Sequence, residues 1–134
     1  MTTLIEIEGI DKAYAQKLRD AGIKTPRSLL EQGCSPQGRA EIAARTGISS
    51  KLILEWVNHA DLFRIKGVGG EYADLLEASG VDTIPELKGR NPENLYQKLV
   101  EINQAKKLVR QLPTQAQVKD WIEQAGQLER VIDY

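Results

Sequence analysis

This chain of 134 residues has little of what most catalytic and metal chemistry draws on. A single cysteine, Cys34, excludes an internal disulfide, and a single histidine, His59, leaves too few ligands for a Cys/His zinc cluster. Aromatic residues make up only 5% of the chain. No apolar run of about 18 residues is present to span a membrane, and no charged-then-apolar leader is visible. These absences lead us to expect a cytoplasmic protein with no membrane partner. An excess of either charge is also missing: 18 Lys and Arg stand against 19 Asp and Glu, a net charge of −1. Divided after Leu62, the chain is balanced on both sides, with 8 basic and 8 acidic residues before and 10 and 11 after. A dedicated nucleic-acid binder usually shows a basic face or a high pI, so any such binding here should be local and weak.

The same scarcity argues against an enzyme. His59, in WVNHAD, has no serine, cysteine or second histidine placed to work with it. Cys34, in EQGCSPQ, lacks an adjacent basic cluster to lower its pKa. A helix-end polar contact suits His59 better. The expectation is a non-enzymatic protein with no catalytic residues, no metal and no cofactor.

What the chain does have is a phrase used twice. Residues 7–18 read IEGIDKAYAQKL and residues 65–76 read IKGVGGEYADLL. At an offset of 58, Ile7, Gly9, Tyr14, Ala15, Leu18, Gly22, Thr25 and Leu29 meet identical residues at 65, 67, 72, 73, 76, 80, 83 and 87. Further on the offset grows to 65, and Ser49, Trp56, Val57 and Ala60 meet Thr114, Trp121, Ile122 and Ala125. The second copy thus carries about seven extra residues between Lys88 and Pro113. We read two repeats, residues 1–62 and 63–134, packed together as one compact unit in which each covers the other's apolar face.

Within each copy the punctuation predicts helices joined by short turns. Tyr72, Ala73, Leu75, Leu76 and Ala78 recur at helical spacing, and Gly80 suits a left-handed stop. Tyr14, Ala15, Leu18 and Gly22 repeat the pattern. Thr83 with Pro85 and Glu86 predicts a capping box, and Thr25-Pro26 a looser version of the same start. Ser35-Pro36 and Asn91-Pro92 open a third helix in each copy, and Ser49 and Thr114 a fourth. Leu52, Ile53, Trp56, Val57 and Ala60 form an apolar stripe, so both tryptophans are expected in the core rather than stacked on bases. Only eight residues precede the first glycine loop, so the C-terminal helix from Thr114 to Leu128 is expected to cover one flank of it.

The loop in the second copy reads apolar, x, Gly, apolar, Gly, then Ala73 and Leu76. Glycines at 67 and 69 permit positive φ and close backbone approach, Val68 plugs the core, and Ala73 lets two helices cross closely. Backbone N–H groups at a helix start can hold an anion. In the first copy Gly9 and Ile10 match, but Asp11 and Lys12 replace the second and third glycines, and a carboxylate there repels phosphate and can itself cap the helix.

The IKGVGGEYADLL pattern resembles the helix-hairpin-helix motif. The resemblance extends through GIKTPRSLL, RTGISSKLILEWVNHADLFRIKGVGGEYADLLEASGVDT, NPENLY and VKDWIEQA, which are similar to a bacterial family of paired helix-hairpin-helix proteins, domain of unknown function 4332. It implies an all-α fold of tandem helix-hairpin-helix units, like those of DNA repair proteins, and of the SAM-like and RNA polymerase α C-terminal domain type. It also implies DNA-backbone contacts that do not read sequence, with donors from Gly67, Val68, Gly69 and Gly70 and charge from Lys66 and Arg64. Weaker candidates are Gly9, Ile10 and Lys12 in the first loop and the cluster Lys106, Lys107 and Arg110, which reads as a stripe of charge on a helix. Two partner classes remain open. One is DNA or RNA backbone, held by the second hairpin. The other is a protein, with the chain as an adaptor and both glycine loops purely structural.

Overall fold

Short polar side chains start most of the helices. In the computed structural model, which describes residues 3–134, a 3-10 turn at Leu4–Glu6 is followed by α1 (Lys12–Asp20), α2 (Pro26–Gly33), α3 (Pro36–Thr46) and α4 (Ser50–Leu62). Asp11, Thr25, Ser35 and Ser49 cap these helices, each accepting an N–H from three residues on. After α4 come α5 (Gly70–Ala78), α6 (Ile84–Lys88), α7 (Pro92–Lys106) and α8 (Gln115–Gln127). Thr83, Asn91 and Thr114 cap the last three, whereas α5 begins after Gly69, which has no side chain to offer. Prolines at 26, 36, 85 and 92 fall in the first turn, where a missing N–H costs nothing. The described residues are helical and contain no strand.

The two left-handed glycine stops expected from the sequence both form. Gly22 and Gly80 adopt φ of +88° and +92°. After them, Ile23 N–H and Val81 N–H reach back to the Leu18 and Leu76 carbonyls at 2.8 and 2.9 Å, satisfying carbonyls that the helix leaves over. Gly33, by contrast, is the last residue of α2 itself and is needed for space: a Cβ there would lie 2.6 Å from Val57 Cγ2. The predicted capping box at Thr83 forms only in half. Thr83 Oγ1 accepts the Glu86 N–H, but Glu86 turns its carboxylate to the Thr83 hydroxyl, 3.0 Å away, rather than to the backbone. A complete box forms at Thr114 and Gln117.

The chain divides into two compact units, one of residues 1–61 with 131–134 and one of residues 62–130. In the second unit, α6 and α7 pack on α8, and α5 packs on α7. Its core gathers Leu62, Ile65, Val68, Leu76, Leu87, Leu99 and Trp121, all but removed from water. In the first unit, α2 packs on α3, and Ile7, Leu18, Ile23, Leu29, Ile42, Ile53 and Trp56 are buried. The first loop's own fourth helix supplies Trp56, whose Nε1 lies 3.1 Å from where a Gly9 Cβ would be. Trp121 of α8 holds the same place, 3.2 Å, beneath Gly67. Among the described residues no helix is long and apolar enough to cross a membrane.

Candidate functional site

The two glycine loops make the same hydrogen bonds. Ile7 N–H donates to Leu4 O and Ile10 N–H to Ile7 O; Ile65 donates to Leu62 and Val68 to Ile65, all four at 3.1 Å. Gly9 and Gly67 carry the turn with φ of +92° and +94°, a conformation that side-chain-bearing residues rarely adopt. Ile10 and Val68 are buried as plugs. Tyr14 meets Trp56 edge-on at 5.1 Å, and Tyr72 meets Trp121 at 5.3 Å, which packs each tryptophan between a loop and the helix that follows it.

The loops part at the next residue. Asp11 and Gly69 share one backbone shape, φ/ψ of −89°/−176° and −102°/−166°. The expectation of positive φ at Gly69 is therefore not met: Gly67 alone turns the loop, and Gly69 is extended backbone that any residue can adopt, with open space where its Cβ would be. At this shared position the Asp11 carboxylate accepts the Tyr14 N–H at 2.8 Å, whereas the start of α5 has no side-chain cap. The ladder of α5 begins when Ala73 donates to the Gly69 carbonyl at 2.9 Å. The amides of Gly70, Glu71 and Tyr72 lie ahead of that bond, at the positive end of the helix dipole.

The local charge also differs. Residues 6–13 hold Glu6, Glu8, Asp11 and Lys12, a sum of −2, while the matching residues 64–71 hold Arg64, Lys66 and Glu71, a sum of +1. Lys66 is exposed, and its backbone is gripped from both sides by Gln124 of α8. Gln124 Oε1 accepts the Lys66 N–H at 2.8 Å, and its Nε2 donates to the Lys66 carbonyl at 3.1 Å and to Asp120 at 2.8 Å. This clamp joins residues 58 apart in sequence, and neither local pattern nor spacing announces it.

Domain of unknown function (DUF4332) is the description of a family model that matches residues 8–128. The chain belongs to that family. No solved structure matches it. In this DUF4332 chain the remaining candidate residues are dispersed in role. Arg64 donates to the Glu129 carbonyl at 3.0 Å, just beyond the end of α8, so its guanidinium is at least partly engaged in holding that terminus. The Val68 N–H is used inside the turn. Lys12 is the exposed first residue of α1, immediately after the Asp11 cap.

The cluster at 106–110 is not a helix stripe. Helix α7 ends at Lys106, Lys107 turns left-handed at φ 50°, and Arg110 follows in the loop. Asn103 fixes that loop by donating to and accepting from Val109 at 3.2 and 3.0 Å. All three cations are exposed, and Lys106 and Lys107 sit where the helix dipole favours positive charge. His59 is 2% exposed and holds, at the offset of 65, the place that Gln124 holds in the second unit.

Proposed function

We propose that this chain is a non-enzymatic, tandem helix-hairpin-helix module that contacts nucleic-acid backbone through the second hairpin, without reading sequence. The observation that carries this reading is the difference between Asp11 and Gly69 on one backbone shape. In the first hairpin a carboxylate fills the anion's place; in the second that place is open, next to the start of α5 and the exposed Lys66. A phosphate oxygen would take the amides of Gly70 and its neighbours, with Gly69 admitting close approach and Lys66 adding charge. Binding of this kind positions a backbone and carries no base information.

A second reading, a protein-interaction adaptor with structural hairpins only, is favoured by separate observations. Glu71 adds a negative charge in the first turn of α5, Arg64 is drawn to the Glu129 carbonyl, and the whole chain is near neutral. The two readings diverge in salt. Binding to short duplex and single-stranded DNA should fall with added salt, at a slope of log affinity on log salt of about −0.9 per phosphate neutralised on duplex. Absence of binding to either at about 50 mM salt, within the range where phosphate contacts are strong, rejects the nucleic-acid reading in favour of the adaptor.

A further inference from the structure

Residues 131–134 belong to the first unit and form neither helix nor strand. Their main chain is held at one residue from both sides. Asp133 N–H donates to the Cys34 carbonyl at 2.7 Å, and the Asp133 carbonyl accepts from Arg39 Nη2 at 2.7 Å. Ile132, one residue before, is 2% exposed, and the Tyr134 hydroxyl donates to Asn58 Oδ1 of α4 at 2.8 Å. The receiving surface is built rather than incidental. Arg39 is only 5% exposed, and its other terminal nitrogen, Nη1, is fixed by the Gly33 carbonyl at 2.9 Å. The α2–α3 corner that presents Cys34 depends on two glycines. A Cβ on Gly33 would strike Val57, and one on Gly38 would strike the Gln32 carbonyl.

We infer that the first unit carries a peptide slot, formed by Cys34, Arg39 and Asn58, which residues 131–134 fill in cis and which accepts the same segment supplied as a separate peptide. The slot reads a main chain as a sheet edge reads an added strand, one N–H and one C=O, with a buried aliphatic side chain as anchor. Emptying it leaves a buried guanidinium without the acceptor of Nη2, which favours refilling by any chain that offers a carbonyl there. The chemistry fits a non-helical segment with an aliphatic residue, then a residue whose backbone is read, then an aromatic with a hydroxyl. Tethering gives the cis segment an effective concentration on the order of millimolar, so the intact protein should show no uptake of added peptide below that range.

The test uses the chain lacking residues 131–134 and a synthetic peptide of residues 129–134, ERVIDY. The truncated protein should melt at a lower temperature than the intact one, and the peptide should bind it saturably and raise its melting temperature. A peptide N-methylated at Asp133, which cannot donate to Cys34, should bind at least tenfold more weakly, as should one with Ile132→Asp. Failure of the folded, truncated protein to bind ERVIDY overturns the inference, and so does equal binding by intact and truncated protein. Should the truncated chain not fold, refolding it with ERVIDY must restore its helical signal where the Ile132→Asp peptide does not; equal results with both peptides overturn the inference. Hydrogen exchange in the intact protein gives an independent reading: the Asp133 amide should be protected, and exchange at the rate of an open chain contradicts a filled slot.

Discussion

Ile7 to Ile10 and Ile65 to Val68 trace the same turn with the same hydrogen bonds, over tryptophans set at nearly the same distance, yet one turn is followed by Asp11 and the other by Gly69. The shared part is what a buried loop needs: a glycine at positive φ, an apolar plug, and a ring beneath. The part that differs faces solvent and has little bearing on packing. The two turns thus keep one geometry while the exposed helix starts after them differ, one capped by its own carboxylate and one without a side-chain cap. A structural turn needs only the first property. An anion site needs both.

Substitutions in the shared part of the two loops should cost the most. Trp56→Ala and Trp121→Ala should each cost about 3–5 kcal/mol, the usual loss for a buried large aromatic. Chemical denaturation of both variants checks this, and a loss below about 1 kcal/mol in either would show that the two rings do not play matching roles. Next in size, Gly9→Ala and Gly67→Ala force a side chain into positive φ and press its Cβ against a Trp Nε1 at 3.1 and 3.2 Å. Each should cost about 1–3 kcal/mol, and by similar amounts, since the strain is the same in both loops.

Smaller effects sharpen the difference. Asp11→Ala removes the cap on the Tyr14 N–H and should destabilise by about 1 kcal/mol. Gly69→Asp copies the first loop's cap residue onto the second. Because Gly69 has negative φ and open space around it, the variant should fold normally and gain about a few tenths of a kcal/mol as α5 acquires a cap. The same change should weaken nucleic-acid binding, separating the two properties in one substitution. Thermal melts and binding isotherms on the same samples read both. A loss of stability would show that the shared backbone shape does not tolerate a side chain in the second loop.

Much of this architecture is written in local signals. The helix starts at Thr25, Ser35, Asn91 and Thr114, the left-handed glycines 22 and 80, and the apolar stripes around the two tryptophans all depend on neighbours within a few residues. The features that sequence reasoning missed are long-range. Gln124 grips Lys66 across 58 positions, and Arg39 reaches Asp133 across 94. The segment VIDY has no periodicity, cap or glycine to show that it belongs with the first unit. At the candidate site the glycines were legible but their roles were not. The pattern treats 67 and 69 alike, whereas only the torsion angles reveal that the first needs glycine for its turn and the second leaves room beside a helix end. The cluster at 106–110 misleads for a related reason, because Lys107 leaves the helix without the glycine that usually marks such a stop.

The most direct test of the asymmetry follows backbone amide shifts by NMR while a short DNA duplex is added at low salt. Salt-dependent shifts are expected at Gly69, Gly70, Glu71 and Tyr72, with the matching amides of Asp11, Lys12, Ala13 and Tyr14 unmoved. Equal shifts in both loops, or shifts confined to the first, would contradict that asymmetry.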